Sequence, residues 1–237
     1  RRVSKAVLLA LDGVYDDSGR LDEARTDFLI SNDAVLKAAA ACPRLLAGVS
    51  INPRRRDAVT ELQRCAAQGA RLVKVLPNTQ GFDPADKRHL PFYAELARLR
   101  LPVLTHVGYE FSLIGQEQSF GDLSRWQSAL EAGVPLIAAH GCSSGLFFYE
   151  KNFRAMEEFA RRYAHFYVDT SALTLPNRVD ALLRLRRRPE IFERLLFGTD
   201  YPLPCFSYPC LGALDMAGFL QARAAGNRFD RQAAVIE

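Results

Sequence analysis

Two histidines and an aspartate stand where short apolar runs give way to loops: His106 in LPVLTHVGYE, His140 in VPLIAAHGCSSG and Asp200 in RLLFGTDYP. Each is followed within a residue or two by Gly or by Tyr-Pro. Imidazole, imidazole and carboxylate are donors for zinc or a related transition metal. Taken singly, each residue has a plainer reading. His106 reads as a hydrogen-bonded core histidine, His140 as a structural residue opening a Gly-Ser loop, and Asp200 as a turn cap. In a barrel of parallel strands, however, all C-terminal ends open on one face, so residues remote in sequence converge there. Their matching placement therefore favours a metal-dependent enzyme.

That argument needs parallel strands, and the chain predicts them. Apolar runs at Ala6–Leu11, Leu45–Ile51, Arg71–Leu76, Pro102–Val107, Val134–His140, Phe166–Thr170 and Leu195–Thr199 are short and rich in Val, Ile and Leu. Gly, Pro, Asn or Asp bounds them, as in strands buried on both faces. Helical patterns alternate with them near Asn32–Ala41, Asp57–Ala67, Asp86–Leu99, Leu123–Ala132, Asn152–Tyr163, Asn177–Arg187 and Leu214–Ala225. Repeated strand–helix units imply a parallel sheet with right-handed crossovers. The expectation is an α/β fold of the TIM type, a (β/α)8 barrel, as one domain. The 237 residues suit it.

Composition narrows the classes further. Apolar residues make up 49% and charged residues 24%, as in ordinary globular proteins. The net charge of +4 singles out neither nucleic acid nor membrane. The runs Arg54–Arg56 and Arg184–Arg188 lack interleaved aromatics and read as solvated faces. Five cysteines without a Cys-x-x-Cys pair argue against a disulfide framework and suit a reducing cytoplasm. Cys205 and Cys210, framing FSYP, read as buried or loop thiols rather than ligands. The expected partner is a small-molecule substrate, with self-association left open.

The segments VLTHVGYE, LIAAHG and above all LLFGTDYP, with the closing NRFDRQAA stretch, resemble the amidohydrolase superfamily. The similarity is to its amidohydrolase-2 branch, which includes the aminocarboxymuconate-semialdehyde decarboxylase-like enzymes. The resemblance implies a metal-dependent hydrolase with His106 and Asp200 as ligands of one divalent ion, zinc or manganese. His140 and Asp200 become the catalytic pair. It equally admits non-oxidative decarboxylation of a small carboxylated substrate. The family's His-x-His pair, at the end of its first strand, has no counterpart here. With seven strand-like runs instead of eight, this predicts a barrel whose first strand is absent from the chain. Residues 1–237 then form a single domain incomplete at the N-terminus and clipped at the C-terminus. A metal-free barrel used only for binding is the contrasting reading.

Other residues are expected around the pocket. Lys74, inside Leu72–Leu76, is costly to bury unless it faces a polar mouth. Asn78, Tyr109 and Glu110 follow strand ends and are expected to touch substrate, with Asn52 a further lining residue. Asp12-Gly13 reads as a turn, and Asp169-Thr170-Ser171 as turn or site. His89 is expected on a helix surface, and His165 at the opposite end of the barrel.

Overall fold

The computed structural model describes residues 3–209 and 216–236. Among the described residues seven strands form one sheet, hydrogen-bonded in chain order and parallel throughout. They are β1 (Ala6–Leu9), β2 (Leu45–Val49), β3 (Ala70–Val75), β4 (Val103–Thr105), β5 (Leu136–Ala138), β6 (Phe166–Asp169) and β7 (Leu195–Leu196). Every expected strand is present, and all but β3, which keeps six residues shifted by one, are shorter, because ladder pairing stops where the chain bends into the loops after each strand. The outer edges of β1 and β7 carry no partner strand among the described residues.

Between the strands lie α1 (Asn32–Ala41), α2 (Ala58–Ala67), a single turn α3 (Pro77–Gln80), α4 (Leu90–Leu99), α5 (Gln127–Glu131), α6 (Phe153–Arg162) and α7 (Val179–Leu185). Two more, α8 (Met216–Ala224) and α9 (Arg228–Ile236), follow β7. Leu214, the expected start of α8, lies outside the described residues. Ser31 caps α1 by accepting from the Ala34 amide at 3.2 Å. The single helix expected over 86–99 divides into a 3₁₀ turn, Lys87–His89, and α4. Pro91 explains the break, since proline fits the first turn of a helix but not its interior.

Side chains alternate across the curled sheet. Val73, Val75, Val103, Leu136, Phe166 and Val168 face the helices and form the main core with Leu62, Leu96 and Trp126. Leu72, Leu104 and Ala139 face the interior, with Leu9 and Ile137 against them. Lys74 follows Leu72 by two residues and shares that interior face. The polar groups needed for chemistry therefore stand above a small apolar floor.

Candidate active site

His106 and His140 meet at the C-terminal ends of β4 and β5, with Nδ1 of one 3.1 Å from Nε2 of the other. Both are buried. Asp169, the last residue of β6, organises the second ring. Its Oδ1 accepts from the His140 amide at 2.8 Å, the Ser171 amide at 3.0 Å and the Ser171 hydroxyl at 2.6 Å. A hydroxyl donating to a carboxylate must accept from the imidazole on its other side. Ser171 Oγ therefore accepts Nδ1–H of His140, at 2.9 Å. This leaves His140 Nε2 as a lone pair turned towards His106.

The His106 ring is one proton short in either tautomer. If Nδ1–H donates to His140, the Nε2 lone pair faces the Tyr109 carbonyl at 3.4 Å. If Nε2–H donates to that carbonyl, two imidazole lone pairs converge between the rings. The second arrangement is donor chemistry suited to a cation, with each ring steadied through its other nitrogen. The fit to a divalent ion is only partial. No group of three His, Cys, Asp or Glu side chains able to hold a metal occurs among the described residues.

Asp200 stands beside the pair, Oδ2 3.9 Å from His140 Nδ1, with its side chain 38% exposed. His140 and Asp200 have φ of +61° and +55°, the left-handed region that non-glycine residues rarely occupy. Such strain persists where surrounding contacts over-determine the backbone, and it collects at functional sites. Gly198, two residues before Asp200, has a steric reason. A Cβ there would lie 3.0 Å from both Asp169 Oδ2 and Ser171 Cβ. From α9, Gln232 donates to the Gly198 carbonyl at 2.7 Å, so the NRFDRQAA stretch supports the Asp200 turn.

Burial dominates the electrostatics. It drives both imidazoles well below the usual histidine range, reinforced by the positive charges of Arg178 and Lys74. Both rings are neutral at neutral pH. Burial pushes the Asp200 carboxyl upward, against the pull of Lys74 and Arg178. A carboxylate so raised is a stronger base than an ordinary one. The Lys74 ammonium is lowered by burial, against Asp200, Asp169 and Glu110.

The expected pocket residues divide. Lys74 faces the interior, and the Glu110 carboxylate lies 3.7 Å from His106 Nδ1. Tyr109 contributes its backbone carbonyl, while its ring stacks on Phe111 and lies under Lys151. Asn78 is fully buried and clamps the 108–118 segment, donating to the Gly108 carbonyl and Gln118 at 3.2 Å each. Its side chain shapes the mouth through these bonds, while its Oδ1 has no hydrogen-bond partner among the described residues. Asn52 is likewise buried, bonded to the Gly13 and Gln80 carbonyls.

Other expectations change. Asp12 is more than a turn, accepting from Gly13, Tyr15, Asn52 and Arg55. His89 is 4% exposed, packed edge-on against Phe82 and Tyr93, because the 3₁₀ turn points it inward. Arg54 and Arg55 are mostly buried and tie loops together through Asp17, Gly81 and Asp57. Arg184 and Arg188 pair with Asp180 and Glu157 over Phe153. His165 sits at the far end, against the Leu130 carbonyl. Cys65 and Cys142 are buried thiols, Cys205 is partly buried, and Cys210 lies outside the described residues. No described helix is long and apolar enough to cross a membrane.

Sequence reasoning missed Arg178 and named Ser171 only as part of Asp169-Thr170-Ser171, turn or site. Arg178 is 7% exposed and donates to the Ser143 carbonyl at 3.3 Å. Its only signal was position, at the start of the expected helix Asn177–Arg187, and the nearby arginine run obscured it.

A family model described as amidohydrolase matches residues 1–223. No curated protein matches the chain. Among solved structures, an uncharacterized TIM-barrel protein from Bordetella bronchiseptica is 19% identical with a TM-score of 0.63, covering 98% of this chain and 78% of its own. A putative 2-pyrone-4,6-dicarboxylic acid hydrolase from Pseudomonas putida is 16% identical with a TM-score of 0.55, covering 86% and 73%. A dihydroxybenzoic acid decarboxylase from Polaromonas sp. JS666, solved with manganese and 2-nitroresorcinol, is 16% identical with a TM-score of 0.50, covering 86% and 70%. At such identity these likenesses establish the fold, that of the TIM barrel.

Proposed function

Because the chain belongs to the amidohydrolase family, we propose that its barrel mouth hydrolyses a C–O or C–N bond of a small molecule, such as a lactone or amide. One observation carries the reading: two neutral imidazoles and a proton-hungry carboxylate from three different strand ends stand together at the mouth. In this reading Asp200 takes a proton from the attacking water. His140, fixed by Ser171 and Asp169, presents its unprotonated Nε2 as an acceptor, and the protonated Asp200 returns the proton to the leaving group. Glu110 and Lys74 line the approach, Tyr109 supplies a carbonyl, and Asn78 holds their loop.

A divalent ion, zinc or manganese, belongs to the proposal with His106 and Asp200 among its ligands. Bound there, it would polarise a substrate oxygen and acidify water. Metal content per chain, in wild type and in His106→Ala, tests that part.

Decarboxylation is the second reading, favoured by the likeness to the Polaromonas decarboxylase and available to the same proton-transferring groups. The test incubates the full protein with a pyrone carboxylate and a dihydroxybenzoate, following ring opening and carbon dioxide separately. Ring opening lost in Asp200→Asn and His140→Ala supports hydrolysis. Carbon dioxide release with the same losses transfers the proposal to decarboxylation. Turnover unchanged in both variants would remove the site from the mechanism.

A further inference from the structure

The turn after β5 is held from behind by a segment that takes no part in the proposed chemistry. Glu150 stands three residues ahead of α6 and is partly buried. Its Oε1 accepts from the Ser143 hydroxyl at 2.8 Å and its Oε2 from the Ser144 amide at 2.5 Å. Both oxygens accept, as those of an ionised carboxylate do. Burial pushes this carboxyl upward, opposed by the same two hydrogen bonds and by Arg178, while Asp180 adds to the rise. Lys151 completes the clasp, its amide donating to Ser144 Oγ at 3.0 Å. Ser143 and Ser144 are buried, and among the described residues Glu150 is the one carboxylate bonded to them.

That turn is the seat of the loop after β4. The Tyr109 amide donates to the Ser144 carbonyl at 2.9 Å. Gly108 (φ +94°) lies so close that a Cβ there would collide with the Ser143 and Ser144 carbonyls, so the position calls for glycine. The Lys151 ammonium sits 4.9 Å from the centre of the Tyr109 ring and pairs with Asp122, closing the same loop from outside. Tyr109 then presents its carbonyl to His106 Nε2 at 3.4 Å. A carbonyl only accepts, so this contact favours the Nε2–H tautomer of His106, with its Nδ1 lone pair turned towards His140. The competing tautomer donates Nδ1–H to His140 Nε2 at 3.1 Å. The position of one carbonyl tips the balance between them.

We infer that Glu150 is a positioning residue for His106, acting through the Ser143–Ser144 turn and the Tyr109 carbonyl to keep the Nδ1 lone pair aimed into the mouth. Its consequence for turnover rests on reading the mouth as the active site. The path runs from the Ser144 amide to the Tyr109 amide and on to the His106 ring, and it touches no substrate. Loss of Glu150 therefore disturbs the aim of His106 and not the fit of the ligand.

The test compares wild type, Glu150→Ala and Glu150→Gln as full proteins, by imidazole ¹⁵N spectra at neutral pH and by turnover of a pyrone carboxylate and a dihydroxybenzoate. Wild-type His106 should be mainly Nε2–H. Glu150→Ala should lower that share in favour of Nδ1–H and lower kcat about tenfold, the low end for groups that orient a histidine, with KM little changed. Glu150→Gln keeps an amide oxygen for the Ser144 N–H and should recover part of both losses. Both variants remove the same charge beside Arg178, so a purely electrostatic effect would be equal in the two. If Glu150→Ala does not fold, a partial tautomer shift in Glu150→Gln carries the comparison with wild type.

A wild-type His106 already in the Nδ1–H form, or the same tautomer share in all the proteins, overturns the positioning role even where kcat falls. Equal effects of the two substitutions overturn it in favour of charge. The two readings fail separately. Turnover that depends on Asp200 with His106 indifferent to Glu150 sinks the positioning alone. A His106 shift in the variants without turnover in wild type sinks the enzyme alone.

Discussion

Ser171→Ala removes one oxygen and isolates the link between Asp169 and His140. The wild-type hydroxyl donates to Asp169 at 2.6 Å and accepts from His140 Nδ1 at 2.9 Å. After its removal Asp169 Oδ1 keeps the His140 and Ser171 amides, at 2.8 and 3.0 Å. Nδ1–H of His140 retains only the Ser171 carbonyl, at 3.3 Å. A hydrogen bond to a charged group contributes about 1.5–3 kcal/mol and a neutral one about 1, so with partial replacement the net loss is about 2 kcal/mol. For a chain of this length that lowers Tm by about 4–8 °C. The catalytic effect is larger than the stability effect suggests, because a ring loosened about its axis no longer aims Nε2. Removing such an orienting partner lowers activity by about 10–100-fold. Denaturant unfolding reads the first number. Imidazole ¹⁵N spectra read the cause: wild-type His140 should show a protonated Nδ1 and an unprotonated Nε2, and the variant a tautomer mixture. Unchanged stability together with an unchanged His140 spectrum would refute the assigned chain of donors.

Gly198→Ala should destabilise by about 1–2 kcal/mol through overpacking, since the new Cβ meets Asp169 and Ser171 at 3.0 Å, and should impair turnover beyond that loss. Denaturation alongside kcat separates the two. Gln232→Leu leaves the Gly198 and Thr170 carbonyls without their donor and should cost about 2 kcal/mol, read from urea unfolding. His89 gives a pH signature away from the site. Burial among aromatic rings pushes its imidazole down to about 4, against about 6.5 in the unfolded chain. The unfolded state therefore binds more protons between these values. The His89 contribution is complete above pH 6.5 and fades as pH falls towards 4, by at most about 3 kcal/mol. His89→Phe should flatten the stability–pH curve in that window, and parallel curves would contradict the assignment.

The strand-end logic made much of the fold legible. All seven parallel strands, α1 with its termini, and the convergence of His106, His140 and Asp200 followed from apolar runs interrupted by Gly, Asn and Pro. What stayed hidden depended on side-chain direction. Nothing local says that His89 turns inward, that Asn78 bonds to Gly108 thirty residues on, or that Arg178 is buried while Arg186 and Arg187 continue the basic run. Ser171 stayed open between turn and site because its partner His140 is 31 residues away. Such partners are chosen by barrel curvature and loop packing, which hydrophobic periodicity does not encode.

The most direct test of the central claim is a crystal structure of the full protein with a pyrone carboxylate or a dihydroxybenzoate bound. The ligand should sit at the His106–His140 mouth, within reach of His140 and Asp200. A ligand seated instead in the cleft of about 550 Å³ lined by Asp12, Arg55 and Arg64, with the His106–His140 mouth unchanged, would contradict it.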